Sequence, residues 1–268
     1  MRFPAGGGLP TVDTLTSADG TPIAYQSSGA GPALVLVVGA FCDRTTTADL
    51  TPLLAPHFTV YSYDRRGRGS SGDSPDYSTD REVDDLAALI VAAGGSARVY
   101  GHSSGAALAL EAAARGVPIS GMVAYEPPYT ARDDGTGGST ELLEGVRARI
   151  AAGDRDGAAA LFLQGAGTPA EVVPMIRQSP GWPRMLELAP ALVYDLTLSN
   201  GGVVPRQRLA RIGVPTVTVS GGASAEWAAR AGAAIADAVP GARHVVLAGQ
   251  THAVAHEVIA PLLIESLA

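Results

Sequence analysis

One short segment constrains this chain more than any other. A short strand run, Ala97 to Tyr100, meets the turn Gly101-His102-Ser103-Ser104-Gly105. An Ala/Leu-rich helix from Ser104 to Arg115 follows at once. A strand that passes this abruptly into a helix fits a layered sheet whose strands are joined by helical crossovers. The two glycines allow the backbone to turn sharply and leave room around the serine between them. Ser103 is then a candidate nucleophile at the apex of a strand–turn–helix elbow. The helix points its N-terminus at the same place, which favours a developing negative charge.

The flanking pattern agrees. Val12 to Ser17 and Ile23 to Gln26 read as two short strands around the turn signal Asp19-Gly20. Ala33 to Val38 is a continuous apolar run between Gly31-Pro32 and Gly39, as in strands buried on both faces. Phe58 to Tyr63, Ser120 to Tyr125, Val214 to Ser220 and Ala242 to Leu247 add four more strands. Helical periodicity covers Asp80 to Ala93, with Thr79 as the expected cap and Glu82 completing a capping box. Further helices are expected over Ala225 to Ala238 and from about Glu257 to Leu267.

The alternation breaks once. From about Tyr129 to Gln207 the chain shows helical stretches, at Thr140 to Ala152, Arg155 to Gln164 and Glu171 to Arg177, and no good strand. The expected organisation is a core of residues 1–128 and 208–268 with an inserted helical cap, 129–207, over the elbow. Gly135-Thr136-Gly137-Gly138 reads as a tip near the start of that cap.

Composition narrows the class of protein. Hydrophobic residues make up 46% of the 268 and charged residues only 17%, which suits a packed core. The net charge is −7 and there is no Lys/Arg block, so nothing resembles the basic face a nucleic-acid partner needs. Cys42 is the single cysteine, which excludes an intrachain disulfide. Met1 to Pro10 lacks the apolar core of a signal peptide, and no run of roughly 18 apolar residues suggests a spanning helix. The expectation is a soluble cytoplasmic protein with no membrane partner; a homodimer stays open.

Taken together, the starting hairpin, the turn Asp64-Arg65-Arg66-Gly67-Arg68-Gly69, the elbow, the insertion and a late histidine resemble the α/β-hydrolase superfamily over nearly the whole length. The resemblance implies a mostly parallel eight-stranded sheet flanked by helices. It also implies a catalytic histidine in the loop after the last strand. Here that is His252, an imidazole suited to general-base work near neutral pH. His102 adjoins Ser103, but its side chain should diverge at the elbow and pack; His244 and His256 read as structural.

Most members carry the triad acid after the penultimate strand, where this chain has Ser224, with Glu226 nearby at the start of a helix. Some carry it after the strand that follows the nucleophile helix, and there this chain has Glu126. Glu126 is favoured, with Glu226 and other carboxylates such as Asp195 as alternatives. The implied oxyanion donors are the backbone N–H groups of Ser104 and Ala40. Many members have His-Gly where this chain has Val38-Gly39.

Ser103-Ser104-Gly105-Ala106, Glu126, His252 and Trp182 are also similar, locally, to lactonases that open the macrolactone zearalenone. Phe41, Tyr129, Phe162, Trp182 and Tyr194 are candidates to line a substrate pocket. The pair Arg65-Arg66 should meet neighbouring carboxylates on the surface rather than an acidic substrate.

The expected chemistry is hydrolysis of a small-molecule ester or lactone through an acyl-enzyme, with no metal or organic cofactor. Acyl transfer or C–C cleavage with the same triad, and a non-catalytic ligand-binding role, are the alternatives.

Overall fold

A computed structural model describes residues 11–130 and 140–268; the tip expected at Gly135–Gly138 and the Met1–Pro10 segment lie outside them. Eight strands form one sheet: β1 (Asp13–Thr16), β2 (Pro22–Ser28), β3 (Ala33–Val37), β4 (Thr59–Tyr63), β5 (Ala97–His102), β6 (Ile119–Tyr125), β7 (Thr216–Gly221) and β8 (Arg243–Leu247). Their spatial order is β1-β2-β4-β3-β5-β6-β7-β8. The pairs β1/β2 and β2/β4 are antiparallel and all others parallel, so the architecture is the mostly parallel eight-stranded sheet expected.

The helices are α1 (Thr51–Leu54), α2 (Thr79–Ala92), α3 (Ser104–Ala114), α4 (Thr140–Ala151), α5 (Arg155–Gly165), α6 (Val173–Arg177), α7 (Trp182–Leu188), α8 (Leu192–Leu198), α9 (Arg206–Leu209), α10 (Glu226–Ala238) and α11 (His256–Leu267). Among the described residues none is long and apolar enough to cross a membrane.

The continuous apolar strands read as buried on both faces because successive side chains alternate between two cores. In β3, Val35 and Val37 enter the core that holds α2, α3 and α10, while Leu34 and Leu36 enter the core that holds α11. The register carries this alternation across the sheet. Val35 lies opposite Val99 and Val99 opposite Met122, all in the first core; Leu36, Tyr100 and Val123 do the same in the second.

Between β6 and β7 the described residues form helices and contribute no strand. This segment has its own small core of Val146, Ala158, Ala189, Leu192 and Leu196, against which Ala40 and Phe41 of the sheet domain pack. The helices α7 and α8 within it were not anticipated from sequence. Each is only two turns long, too short for a periodic pattern to emerge.

The start of α2 differs from expectation. Ser78, not Thr79, is the N-cap: its backbone is extended and its hydroxyl accepts from Arg81 N at 3.3 Å. The capping box fails because Glu82 is fully buried and receives Arg65 Nε at 2.5 Å.

Arg65 and Arg66 are likewise not on the surface; both are fully buried. Arg66 makes a two-pronged pair with Asp85, with Nε and Nη2 each 2.7 Å from a carboxylate oxygen. A third contact runs to Asp19 in the β1–β2 turn. Burying a charge is tolerable only when it is paired this completely. Asp85→Ala strands the Arg66 guanidinium and should cost about 3–5 kcal/mol in urea unfolding. Glu144→Ala, which breaks only the exposed Arg147 pair, should cost less than about 1 kcal/mol in the same assay.

Candidate active site

The C-terminal ends of β3, β5, β6 and β7 meet at one edge of the sheet, where a ligand crevice is expected in open α/β sheets. Three of the four non-glycine residues with left-handed φ among the described residues sit there: Phe41 (57°), Ser103 (57°) and Glu126 (44°). Such conformations cost of order 1–3 kcal/mol each and persist where the surroundings impose them. At the elbow the surroundings are glycines. A Cβ on Gly101 would lie 2.5 Å from the Ala106 Cα, one on Gly105 2.1 Å from the Val37 oxygen, and one on Gly39 2.8 Å from the Ser103 Cβ. The strand, the helix and the β3 loop therefore touch backbone to backbone around Ser103.

Glu126 follows β6 directly and is fully buried. Its Oε2 lies 2.6 Å from His252 Nδ1, and its Oε1 accepts from the Gly221 N–H at 2.7 Å. Burial pushes this carboxyl up, but hydrogen bonding, led by His252 and joined by Ser224 and the Gly221 N–H, outweighs burial and holds it below the usual carboxylate range. An ionised carboxylate can only accept, so His252 Nδ1 is the donor in this contact. The end of β7 supplies a backbone donor here rather than a carboxylate. Glu226 is exposed at the first position of α10. The His252 side chain is 47% exposed, and among the described residues no hydrogen bond joins it to the Ser103 hydroxyl.

Two aromatic side chains tie down the loop that carries His252. The rings of His102 and Tyr125 stack with centroids 5.4 Å apart. Tyr125 Oη donates to the Thr251 carbonyl at 2.6 Å and His102 Nε2 donates to the His252 carbonyl at 2.8 Å. His102 thus diverges from Ser103 as expected, yet it binds as well as packs. The strand register makes this possible by setting His102 beside Tyr125. No sequence signal announces it, because the partners are 150 and 126 residues apart.

A cavity of about 60 Å³ opens beside Ser103, and Ala40, Ser104, Leu142, Phe162 and Asp195 are among its walls. Phe162 was among the aromatic candidates for this role. Phe41 stands behind it, edge-on at 5.3 Å. Tyr129 belongs to the main core instead, and Trp182 is buried in the inserted segment with its Nε1 donating to Asp156 at 3.2 Å. Tyr194 stacks on Tyr77 at 3.9 Å and donates to Asp73.

Asp195 was the weakest of the carboxylate candidates, and the structure places it away from His252. It is buried, and its Oδ1 receives Ser104 Oγ at 2.5 Å, Arg68 Nη2 at 2.7 Å and Arg65 Nη1 at 2.9 Å. Burial raises its carboxyl, but Arg68, Arg65 and the Ser104 hydroxyl overcome this and keep it ionised. Among the described residues no cluster of His, Cys, Asp and Glu is arranged to hold a metal ion.

Comparison with known proteins agrees with this fold. A family model described as the alpha/beta hydrolase family matches residues 34–258, most of the chain. This protein belongs to that family. The crystal structure of an alpha/beta hydrolase from Sphaerobacter thermophilus superposes with a TM-score of 0.90 at 46% identity, covering 96% of this chain and all (100%) of that one. A hydrolase from Pseudomonas aeruginosa follows with a TM-score of 0.74 at 26% identity, covering 91% and 92%. The N-formylmaleamate deformylase of Pseudomonas putida is 38% identical over 133 residues, which are 48% of this chain and 47% of that protein. The chain thus matches about half the length of this curated relative.

The His102 ring has a pH signature. Burial is the main cause that lowers its pKa, to about 4, with the neighbouring His252 next. In the unfolded chain a histidine titrates near ~6.5. The native state therefore binds fewer protons between these values. The His102 contribution is intact above about pH 6.5 and is lost as pH falls toward 4, by on the order of 3 kcal/mol at ~1.4 kcal/mol per unit. Urea unfolding of the wild type and His102→Gln from pH 7 to 4.5 should show the two stabilities converging as pH falls; parallel curves would remove His102 as the cause.

Proposed function

We propose that this chain is a serine hydrolase that cleaves a small carboxylic ester or lactone through an acyl-enzyme. The observation that carries the reading is the buried Glu126 carboxylate 2.6 Å from His252 Nδ1, at the sheet edge where Ser103 lies between β5 and α3. In this reading Ser103 Oγ attacks the substrate carbonyl while His252 Nε2 takes its proton. The resulting oxyanion meets the backbone N–H groups of Ala40 and Ser104, both on the cavity wall beside Ser103. Collapse expels the alkoxide, which His252 protonates, and a water activated by the same imidazole releases the acid. Glu126 holds the tautomer and stabilises the imidazolium. Residues 129–207 act as a cap over this cavity.

A second reading keeps the triad and changes the bond. The similarity to N-formylmaleamate deformylase favours a small N-acyl substrate, in which His252 would protonate a nitrogen leaving group.

A fluorophosphonate probe should leave one adduct, on Ser103, by peptide mass spectrometry, and Ser103→Ala should take up none. Glu126→Gln should lower turnover of a short aryl ester by on the order of 10⁴-fold, while Glu226→Gln changes it little. An active Glu126→Gln enzyme, with native circular dichroism, would overturn the triad. Parallel assays on aryl acetates, small lactones and N-formyl amides decide between the two bonds: the class with the highest kcat/KM identifies the substrate.

A further inference from the structure

The buried cluster around Asp195 contacts the active site at two separate places. One is direct: Ser104, the residue after the proposed nucleophile, donates its hydroxyl to Asp195 Oδ1 at 2.5 Å. The other passes through arginine. Arg68 bonds Asp195 Oδ1 at 2.7 Å through Nη2 and the Gly39 carbonyl at 2.6 Å through Nη1. Arg65 repeats the pattern, donating to Asp195 Oδ1 at 2.9 Å and to the Val38 carbonyl at 3.0 Å. A buried Glu82 holds the far side of Arg65, and Tyr77 donates to Glu82 at 2.7 Å.

Peptide geometry turns the second contact into a statement about the oxyanion site. The Gly39 C=O and the Ala40 N–H belong to one planar trans unit, so they point in opposite directions. A guanidinium that fixes the carbonyl thereby fixes the N–H. With the Gly39 oxygen drawn toward Arg68, the Ala40 N–H is turned away from it, and Ala40 is part of the cavity wall beside Ser103. Gly39 is where such control is needed, because a residue without Cβ leaves its peptide the most freedom to rotate.

Ser104, Arg65 and Arg68 converge on Asp195 Oδ1. We propose that Asp195, carried by α8 of the inserted segment, is a positioning residue that aims both oxyanion donors, Ser104 directly and Ala40 through Arg68. The oxyanion site is then assembled only when the inserted segment is seated on the sheet domain. This inference rests on the serine-hydrolase reading above, in which those two N–H groups meet the oxyanion.

The test compares Asp195→Asn, Arg68→Met and the double variant, with Ser104→Ala as a milder cut that leaves the ion pairs in place. Two quantities are read: kcat and KM on p-nitrophenyl acetate, and the inhibition constant of a phenyl trifluoromethyl ketone, whose hemiketal carries an oxyanion. Removing the aim of one donor should lower kcat by about 10²-fold with KM nearly unchanged. Ketone affinity should fall by the same factor. The double variant should lose little more than Asp195→Asn alone, because Arg68 acts along one of the two paths that already pass through Asp195. Ser104→Ala should lose about 10-fold and, keeping both ion pairs, serves if Arg68→Met does not fold.

Variants that melt at lower temperature yet keep wild-type kcat and ketone affinity would show a purely structural cluster and overturn the proposal. Ser103→Ala is run alongside. If Ser103→Ala retains turnover, the serine-hydrolase reading itself has failed. If Ser103→Ala is dead while the cluster variants behave as wild type, only the positioning role has failed.

Discussion

The site depends on how closely three stretches of backbone approach one another. Nothing larger than hydrogen fits on Gly105 without meeting the Val37 carbonyl, and nothing larger fits on Gly101 without meeting α3. This contact lets β5 turn into α3 within a single residue and leaves Ser103 in a left-handed conformation (φ 57°) at the apex. The same contact brings the β3 loop against the elbow, so Ala40 and Ser104 come to line one cavity. Strain at Ser103, Phe41 and Glu126 is held by a sheet whose two faces are both packed, which gives the edge no slack to relax.

Around this apolar frame the protein buries an unusual amount of charge. Asp64, Arg65, Arg66, Glu82, Asp85 and Glu126 are all fully inaccessible. Three of them also tie separate backbone segments together. Asp64 accepts from the Arg44 and Ser70 backbone N–H groups and so fixes the turn after β4. Arg66 ties the β1–β2 turn to α2 through Asp19 and Asp85. Glu126 joins β7 to the histidine loop. In a low-dielectric interior such groups are costly unless nearly every hydrogen-bonding position is used, so they define geometry more sharply than apolar contacts do.

Much of this was legible in the chain itself. The central strands were legible because burial on both faces demands apolar residues, and the elbow was legible because only glycine tolerates its contacts. The segment between β6 and β7 was legible through the lack of a strand pattern, although α7 and α8 were too short to be seen. Local rules failed where a residue was recruited by a distant one. Glu82 reads as half of a capping box until Arg65 claims it. Arg65 and Arg66 read as surface charges until the fold brings Asp195 and Asp85 to them. Tyr129 and Trp182 read as pocket aromatics, but the core and the inserted segment absorb them.

The sequence by itself determined the layered sheet, the sharp turn at Ser103 and the family of the chain, because strand periodicity and glycine sterics act over a few neighbouring residues. Only the tertiary structure decided which partners those residues meet. Glu126 and His252 are 126 positions apart, and Asp195 and Ser104 are 91 apart. Their distances follow from parallel strand register and from how the inserted helices seat, neither of which leaves a mark in local composition. A hydrogen bond depends on tenths of an ångström between groups that only packing brings together, so the network behind the site becomes visible only once the chain is folded.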